Sequence, residues 1–401
     1  MTLITSMSLL LVFAHLLGRI AERLGQPVLL GQMLAGIVLG PSLLTWVKPG
    51  PGLAAIADLS VLFVVITAGL EMRMQHVLET FRGKGTFALM LGFMIPAFAA
   101  AVFSLAIGLT LIPAIVVTLC ISVTALPVAL RILNGFGMLN TCVARVAISS
   151  ALLSDVIVMM VLGITMAMSL PQQTNNLLLT ASLAIAKLGV LLVVVGVCYF
   201  ICIKLSARGV WRQTTANQPS VDAVLVLTLV FMLALCAVAE LLGFHFVIGV
   251  FLAALMITRD LISDARFESM ERTFELMTVS LFGPLFLSFQ GIQFELGALN
   301  NYTLVFGLIL VAIASKLIGG YAAARMKRLP HHEASGVAII MNARGVMEMV
   351  VASIAYQAGF VDQELFSALL VVGTVTTVIT PFMLKRWLAK PINARILNAG
   401  E

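Results

Sequence analysis

The chain has 401 residues, 61% of them hydrophobic and only 10% charged, with a mean hydropathy of +1.10. Soluble globular proteins carry about 25% charge, so this composition excludes a large soluble core and implies a polytopic membrane protein. Its spans are helical, because open strand edges are not viable in hydrocarbon, and the formal net charge of +6 reads as membrane topology rather than nucleic-acid binding.

Thirteen apolar segments follow in chain order: 3–18, 27–45, 53–71, 86–108, 111–132, 143–168, 177–203, 221–242, 244–258, 273–290, 302–324, 334–358 and 364–384. A helix needs about 20 residues to cross the hydrocarbon core. The first segment is too long for a signal-peptide core and lacks a basic leader, so no cleaved signal is expected. Basic residues test the count. Arg19 and Arg23 follow the first segment; Arg73, Arg82 and Lys84 the third. Arg131 borders the end of the fifth and Arg145 the start of the sixth, and Lys204, Arg208 and Arg212 follow the seventh. Arg259, Arg266 and Arg272 follow the ninth; Arg325, Lys327 and Arg328 the eleventh; Lys385, Arg386, Lys390 and Arg395 the last. The alternate loops contribute only Lys48. That asymmetry is the positive-inside signature. It places the N-terminus outside and the C-terminus in the cytoplasm, as in a bacterial inner-membrane protein. Residues 1–390 form the transmembrane domain and 391–401 a short cytoplasmic tail.

Segments 1–6 and 8–13 give two six-helix halves joined by the seventh. Their orientations are opposite, the inverted-repeat plan of secondary transporters. The fifth segment of each half carries a helix breaker. Span 111–132 holds Pro127 within Ser122-Val123-Thr124-Ala125-Leu126-Pro127-Val128, and span 334–358 holds Gly345 within Asn342-Ala343-Arg344-Gly345-Val346-Met347-Glu348. Proline removes an amide donor and clashes with the preceding turn. Irregular backbone at membrane depth is tolerated where protein buries it or it lines a cavity, so two crossed broken helices point to a midplane site. A packing kink at Pro127 and close packing at Gly345 are the plainer reading.

Asp155 lies mid-way along an apolar span, where a charge costs several kcal/mol. Its helical neighbours Ala151, Leu152, Val158 and Met159 offer no basic partner. A carboxylate there can hold either a proton or a bare cation, and Ser154 and Thr124 add hydroxyl oxygens of the kind hard cations prefer. The alternative is a structural acid paired with a distant lysine. Lys316 either pairs with Asp155, competes with the cation, lines a vestibule or supports the broken helices. Arg344 and Glu348, four residues apart, pair on one helix face. Glu240 either lines an entry funnel or is solvated at the interface, His245 packs as a hydrogen-bonded residue, and Lys187 snorkels. Asp58, Glu71 and Asp222 lie nearer span ends. The five cysteines, Cys120, Cys142, Cys198, Cys202 and Cys236, lack metal-ligand spacing and are expected as free thiols.

Several stretches resemble, in order along nearly the whole chain, the Kef/plant-CHX branch of the monovalent cation:proton antiporters. They are Gln26-Pro27-Val28, Gly36-Ile37-Val38-Leu39-Gly40-Pro41-Ser42, Gly69-Leu70-Glu71-Met72, Thr124-Ala125-Leu126-Pro127-Val128 and Leu139-Asn140-Thr141. Further on come Gly249-Val250-Phe251-Leu252-Ala253-Ala254-Leu255, Pro284-Leu285-Phe286-Leu287-Ser288, and Asn342 through Glu348. The resemblance implies a homodimer, an interface domain beside a mobile core domain, and elevator-like alternating access. It puts the family's essential aspartate on Asp155, its crossing-helix threonine on Thr124 and its core lysine on Lys316. Ser154 stands where the family usually has Asn, or a second Asp in electrogenic relatives. That departure favours electroneutral one-for-one exchange and leaves selectivity between Na⁺ and K⁺ open. Many relatives continue into cytoplasmic regulatory regions. Here no Gly-rich dinucleotide fingerprint follows, so either regulation by that route is absent or the chain is a piece of a longer protein.

The expected activity is exchange of Na⁺ or K⁺, bound at Asp155, for H⁺, with no cofactor, no enzymatic chemistry and lipid as the surrounding partner. A cytoplasmic regulatory partner stays open. The rivals are a gated monovalent cation channel, a sodium-coupled organic-anion symporter that would free Arg344 from Glu348, and a transport-dead membrane sensor.

Overall fold

The computed structural model describes residues 2–72, 85–168, 177–207, 221–257, 264–299 and 301–390. Arg73, Arg82, Lys84, Arg208, Arg212, Arg259, Arg395 and the 391–401 tail lie outside the described residues, as do the side chains of Cys202 and Asp222. The described chain is helical, with no strand: α1 Leu3–Arg23, α2 Val28–Leu39, α3 Pro51–Glu71, α4 Thr86–Ala106, α5 Leu111–Ser122, α6 Leu126–Gly135, α7 Cys142–Met168 and α8 Leu177–Ala207. There follow α9 Val221–Leu241, α10 Phe246–Met256, α11 Asp264–Met277, α12 Gly283–Gln293, α13 Tyr302–Met326, α14 His331–Met341, α15 Val346–Gln357 and α16 Gln363–Leu388. A π-helical turn, Thr278–Phe282, joins α11 to α12.

Local chemistry sets several helix ends. Thr2, Asn301 and Asp362 cap α1, α13 and α16, each side-chain oxygen accepting from the backbone amide three residues on, at 3.3, 3.0 and 2.8 Å. The turn between α9 and α10 needs a left-handed residue, and Gly243, at φ +86°, supplies it. Pro284 has no amide proton to continue the α-helical ladder. The widened turn before it closes instead with Gly283 N–H donating to the Thr278 carbonyl.

Ten described helices or near-continuous helix pairs, among them 111–135, are long and apolar enough to cross a membrane; α14 and α15, bent by 40° at their break, make an eleventh. The apolar helices α2 and α10 have 12 and 11 residues, short of the length a full crossing needs. Every one of the thirteen apolar segments contains helix, but α2 and α10 do not span by themselves.

The chain divides into two compact units, Met1–Ala57 with Val77–Val158 and Pro284–Glu401, and Asp58–His76 with Met159–Gly283. The divisions fall inside α3 and α7 and at the start of α12. In the first unit, Leu10, Leu39, Val47, Leu53, Leu285, Phe289 and Ile292 form one apolar cluster. There α2 crosses α12 at glycine: a Cβ on Gly36 would strike the Ser288 carbonyl oxygen, and one on Gly291 the Met33 carbonyl oxygen. The second unit is fastened by Phe63 stacked on Phe282, with ring centroids 4.0 Å apart, and by Thr67 and Thr278, whose hydroxyls are 2.7 Å apart.

Candidate functional site

Both predicted breaks exist, and both lie in the first unit. α5 ends at Ser122; Val123 and Ala125 are extended (φ −66°, ψ 148° and φ −73°, ψ 106°), and α6 begins at Leu126. The break thus precedes Pro127, which sits in the first turn of α6. There its missing amide is harmless, because first-turn amides have no intrahelical acceptor. The other break spans Asn342–Gly345, between α14 and α15. The two unwound segments touch directly. Ala125 N–H donates to the Ala343 carbonyl at 3.2 Å, and Thr124 Oγ1 donates to the Met341 carbonyl at 3.3 Å. Gly345 is extended, and its role is space: a Cβ there would lie 2.7 Å from Val128 Cγ2.

A helix ending in hydrocarbon leaves carbonyls without partners and a partial negative charge. At the end of α5 two cations meet that need. Arg344 Nη1 donates to the Cys120 carbonyl at 2.7 Å and Nη2 to the Ile121 carbonyl at 2.6 Å. Lys316 Nζ donates to the Ser122 carbonyl, and to Thr124 Oγ1 at 2.7 Å. Close packing brings Lys316 within reach. A Cβ on Gly320 would lie 2.8 Å from Ala338 Cα of α14, and one on Gly319 3.0 Å from Pro96 of α4, so α13 sits tightly between them. Arg344 also pairs with Glu348 Oε1 at 3.3 Å. That is the expected i, i+4 pair with one correction: Arg344 belongs to the unwound segment, and only Glu348 is helical, in the first turn of α15. A carboxylate there complements the positive helix end.

Asp155 is fully buried on α7, with Ser154 beside it. Lys316 feels the opposite charges of Asp155 and Glu348 and the like charge of Arg344, so Asp155 belongs to the electrostatics of the crossing. Upstream on α7, Ser150 Oγ donates to the Leu89 carbonyl of α4 at 3.2 Å. Ser154 turns its hydroxyl proton to its own helix, donating to the Ala151 carbonyl at 2.8 Å, which leaves its lone pairs as the only ligands it has to offer.

Thr124, Lys316, Arg344 and Glu348 are thus assembled at one point. The other ionisable candidates are not part of these contacts: Glu240 is exposed, Lys187 is half-buried, and His245 caps α10, Nδ1 accepting from Val247 N–H at 3.4 Å. Two residues of α16 escaped the sequence reading. Thr377 donates to the Arg344 carbonyl at 2.9 Å, and Thr380 accepts from Asn342 Nδ2 at 3.2 Å. The signal was Thr376, Thr377 and Thr380 at helical spacing in an otherwise apolar span.

Residues 9–390 match the family described as sodium/hydrogen exchanger, transmembrane. The chain belongs to that family. Within the exchanger family it is similar to the Na⁺/H⁺ antiporter of Enterococcus hirae, 25% identical over 394 residues covering 97% of this chain and 99% of that one. It is also similar to cation/H⁺ antiporter 15 of Arabidopsis thaliana, 25% identical over 404 residues, 95% of this chain and 47% of that one, in keeping with the plant-type motifs. The fold matches that of the sodium proton antiporter MjNhaP1 of Methanocaldococcus jannaschii at pH 8, with a TM-score of 0.71, 18% identity and 98% of both chains covered.

Proposed function

We propose that this exchanger-family chain is a secondary transporter that exchanges a monovalent cation, Na⁺ or K⁺, for H⁺ across a membrane. The observation that carries the reading is a fully buried carboxylate, Asp155, electrostatically coupled to a lysine that caps one of two crossed, unwound helices. Asp155 takes the cation and the proton in turn, and Thr124 and Ser154 offer oxygens to the cation. Lys316, Arg344 and Glu348 hold the crossing open against the cost of unpaired backbone. Moving a bare buried carboxylate is expensive, so only the loaded forms reorient, and that penalty couples the two flows. The antiporter names of the relatives support this reading. We further propose an elevator-like movement, electroneutral stoichiometry, a homodimer in a bacterial inner membrane, and an outside N-terminus with a cytoplasmic C-terminus.

The organic-anion rival needs a guanidinium available to substrate. Both terminal nitrogens of Arg344 are committed to the α5 carbonyls, and one also to Glu348, which favours cation exchange. Proteoliposomes with an internal pH dye test the reading. Wild-type protein moves protons when Na⁺ or K⁺ is added, and Asp155→Asn abolishes the movement for every cation; retained exchange refutes the assignment.

A further inference from the structure

Away from the crossing, one polar pair lies inside an apolar wall of the first unit. Every residue of α12 from Pro284 to Ile292 is buried, with Gln290 and Ser288 both fully enclosed. The glycine crossing and Ser288, whose hydroxyl donates to the Gln32 carbonyl at 3.0 Å, tie one face of α12 to α2. Gln290 lies about 200° around the helix from Ser288, by 100° per residue, and meets α15. There Gln290 Nε2 donates to Ser353 Oγ at 2.9 Å. Among the described residues Gln290 Oε1 has no hydrogen-bond partner, although it is fully buried. Flipping the amide would not cure this. Ser353 provides one hydroxyl, so either orientation leaves one amide atom unmatched. A buried amide oxygen without a partner is costly, and leucine would fill the same volume without that cost.

We propose that Gln290 Oε1, its amide held in place through Nε2 by Ser353 Oγ, is an uncharged second station for the transported alkali cation, on its way between the crossing and the Gln357 end of α15. An amide oxygen is a hard ligand of the type such cations take, and the Ser353 bond to the other end of the amide fixes where it points. Ser353 lies five residues beyond Glu348 on α15, about 7.5 Å along the helix axis, so the station stands off the crossing in one direction only. Having no charge of its own, it holds a partly hydrated cation weakly enough to pass it on.

The inference rests on the exchange reading, and sidedness separates the two. Exchange is measured in vesicles of both orientations, with Na⁺, Li⁺ or K⁺ supplied from one face and then the other. Wild-type protein serves as the control; its failure to exchange would refute the proposed function itself. Gln290→Leu should raise the cation KM about five- to tenfold from the face on which α15 ends and leave it unchanged from the opposite face. Ser353→Ala should shift it the same way by less, and Gln290→Glu should lower it. A buried water only, or a purely structural pair, predicts a fall in maximal rate with KM unchanged from both faces. That result, or an equal KM shift from both faces, overturns the proposal. Should Gln290→Leu fail to fold, Ser353→Ala decides by the same comparison.

Discussion

Lys316 shows how a charged side chain is retained in an apolar interior. Its ammonium completes the last carbonyl of α5 and the Thr124 hydroxyl while opposing the charge of Asp155. Methionine would match its length and supply none of these contacts. Lys316→Met is therefore expected to destabilise the detergent-solubilised protein by about 2 kcal/mol, the cost of orphaning buried acceptors. A thermal midpoint equal to or above that of wild type would contradict the capping role. Arg344 carries the same logic further, since its two carbonyl bonds make it a backbone cap first and the partner of Glu348 second. The i, i+4 spacing revealed the pair. It gave no hint of the carbonyls, because a side chain's reach towards another helix leaves no mark in its own sequence neighbourhood.

At the level of helices, Pro127 and Gly345 marked the right spans but not the mechanics. Proline, expected inside a helix, sits in the first turn of one, where its missing amide breaks no bond of the ladder, and the unwinding lies in Val123–Ala125 before it. At the helix crossings glycine acts through space rather than flexibility. At Gly36 an alanine Cβ would collide with the Ser288 carbonyl oxygen, a backbone atom that moves only with its helix, whereas a Cβ at Gly189 of α8 meets nothing within 4 Å. Gly36→Ala is accordingly expected to lower stability by about 1–3 kcal/mol, the range for overpacking. Gly189→Ala should leave stability unchanged or slightly raised, through helix propensity. Equal thermal midpoints for the two variants would show that the α2–α12 crossing is looser than described.

For the molecule as a whole, the proposed coupling depends on the balance of buried charge. Asp155 has a serine, not a second carboxylate, before it in α7, and the electroneutral stoichiometry proposed above rests on that single carboxylate. Exchange in proteoliposomes should run at the same rate with and without an imposed potassium-diffusion potential (set with valinomycin and read with Na⁺ as the exchanged ion). Ser154→Asp should introduce a dependence on that potential. Voltage-sensitive exchange by the wild type would overturn the one-for-one stoichiometry.

The sequence by itself determined the class of molecule, the location of the apolar segments, the spans that break, and the charged residues to be accounted for. Hydrophobicity is summed over neighbouring residues, and an ionisable group in such a run stands out without knowledge of its surroundings. Only the tertiary structure decided what those groups touch. The Arg344–Cys120 bond joins residues 224 apart in the chain, and the Lys316–Thr124 bond residues 192 apart. The partners of Gln290 and Thr377 likewise emerge only when helices from distant parts of the sequence are packed. Membrane helices all draw on the same few apolar residue types, so which faces meet is set by close approach at glycines and by the satisfaction of buried polar atoms.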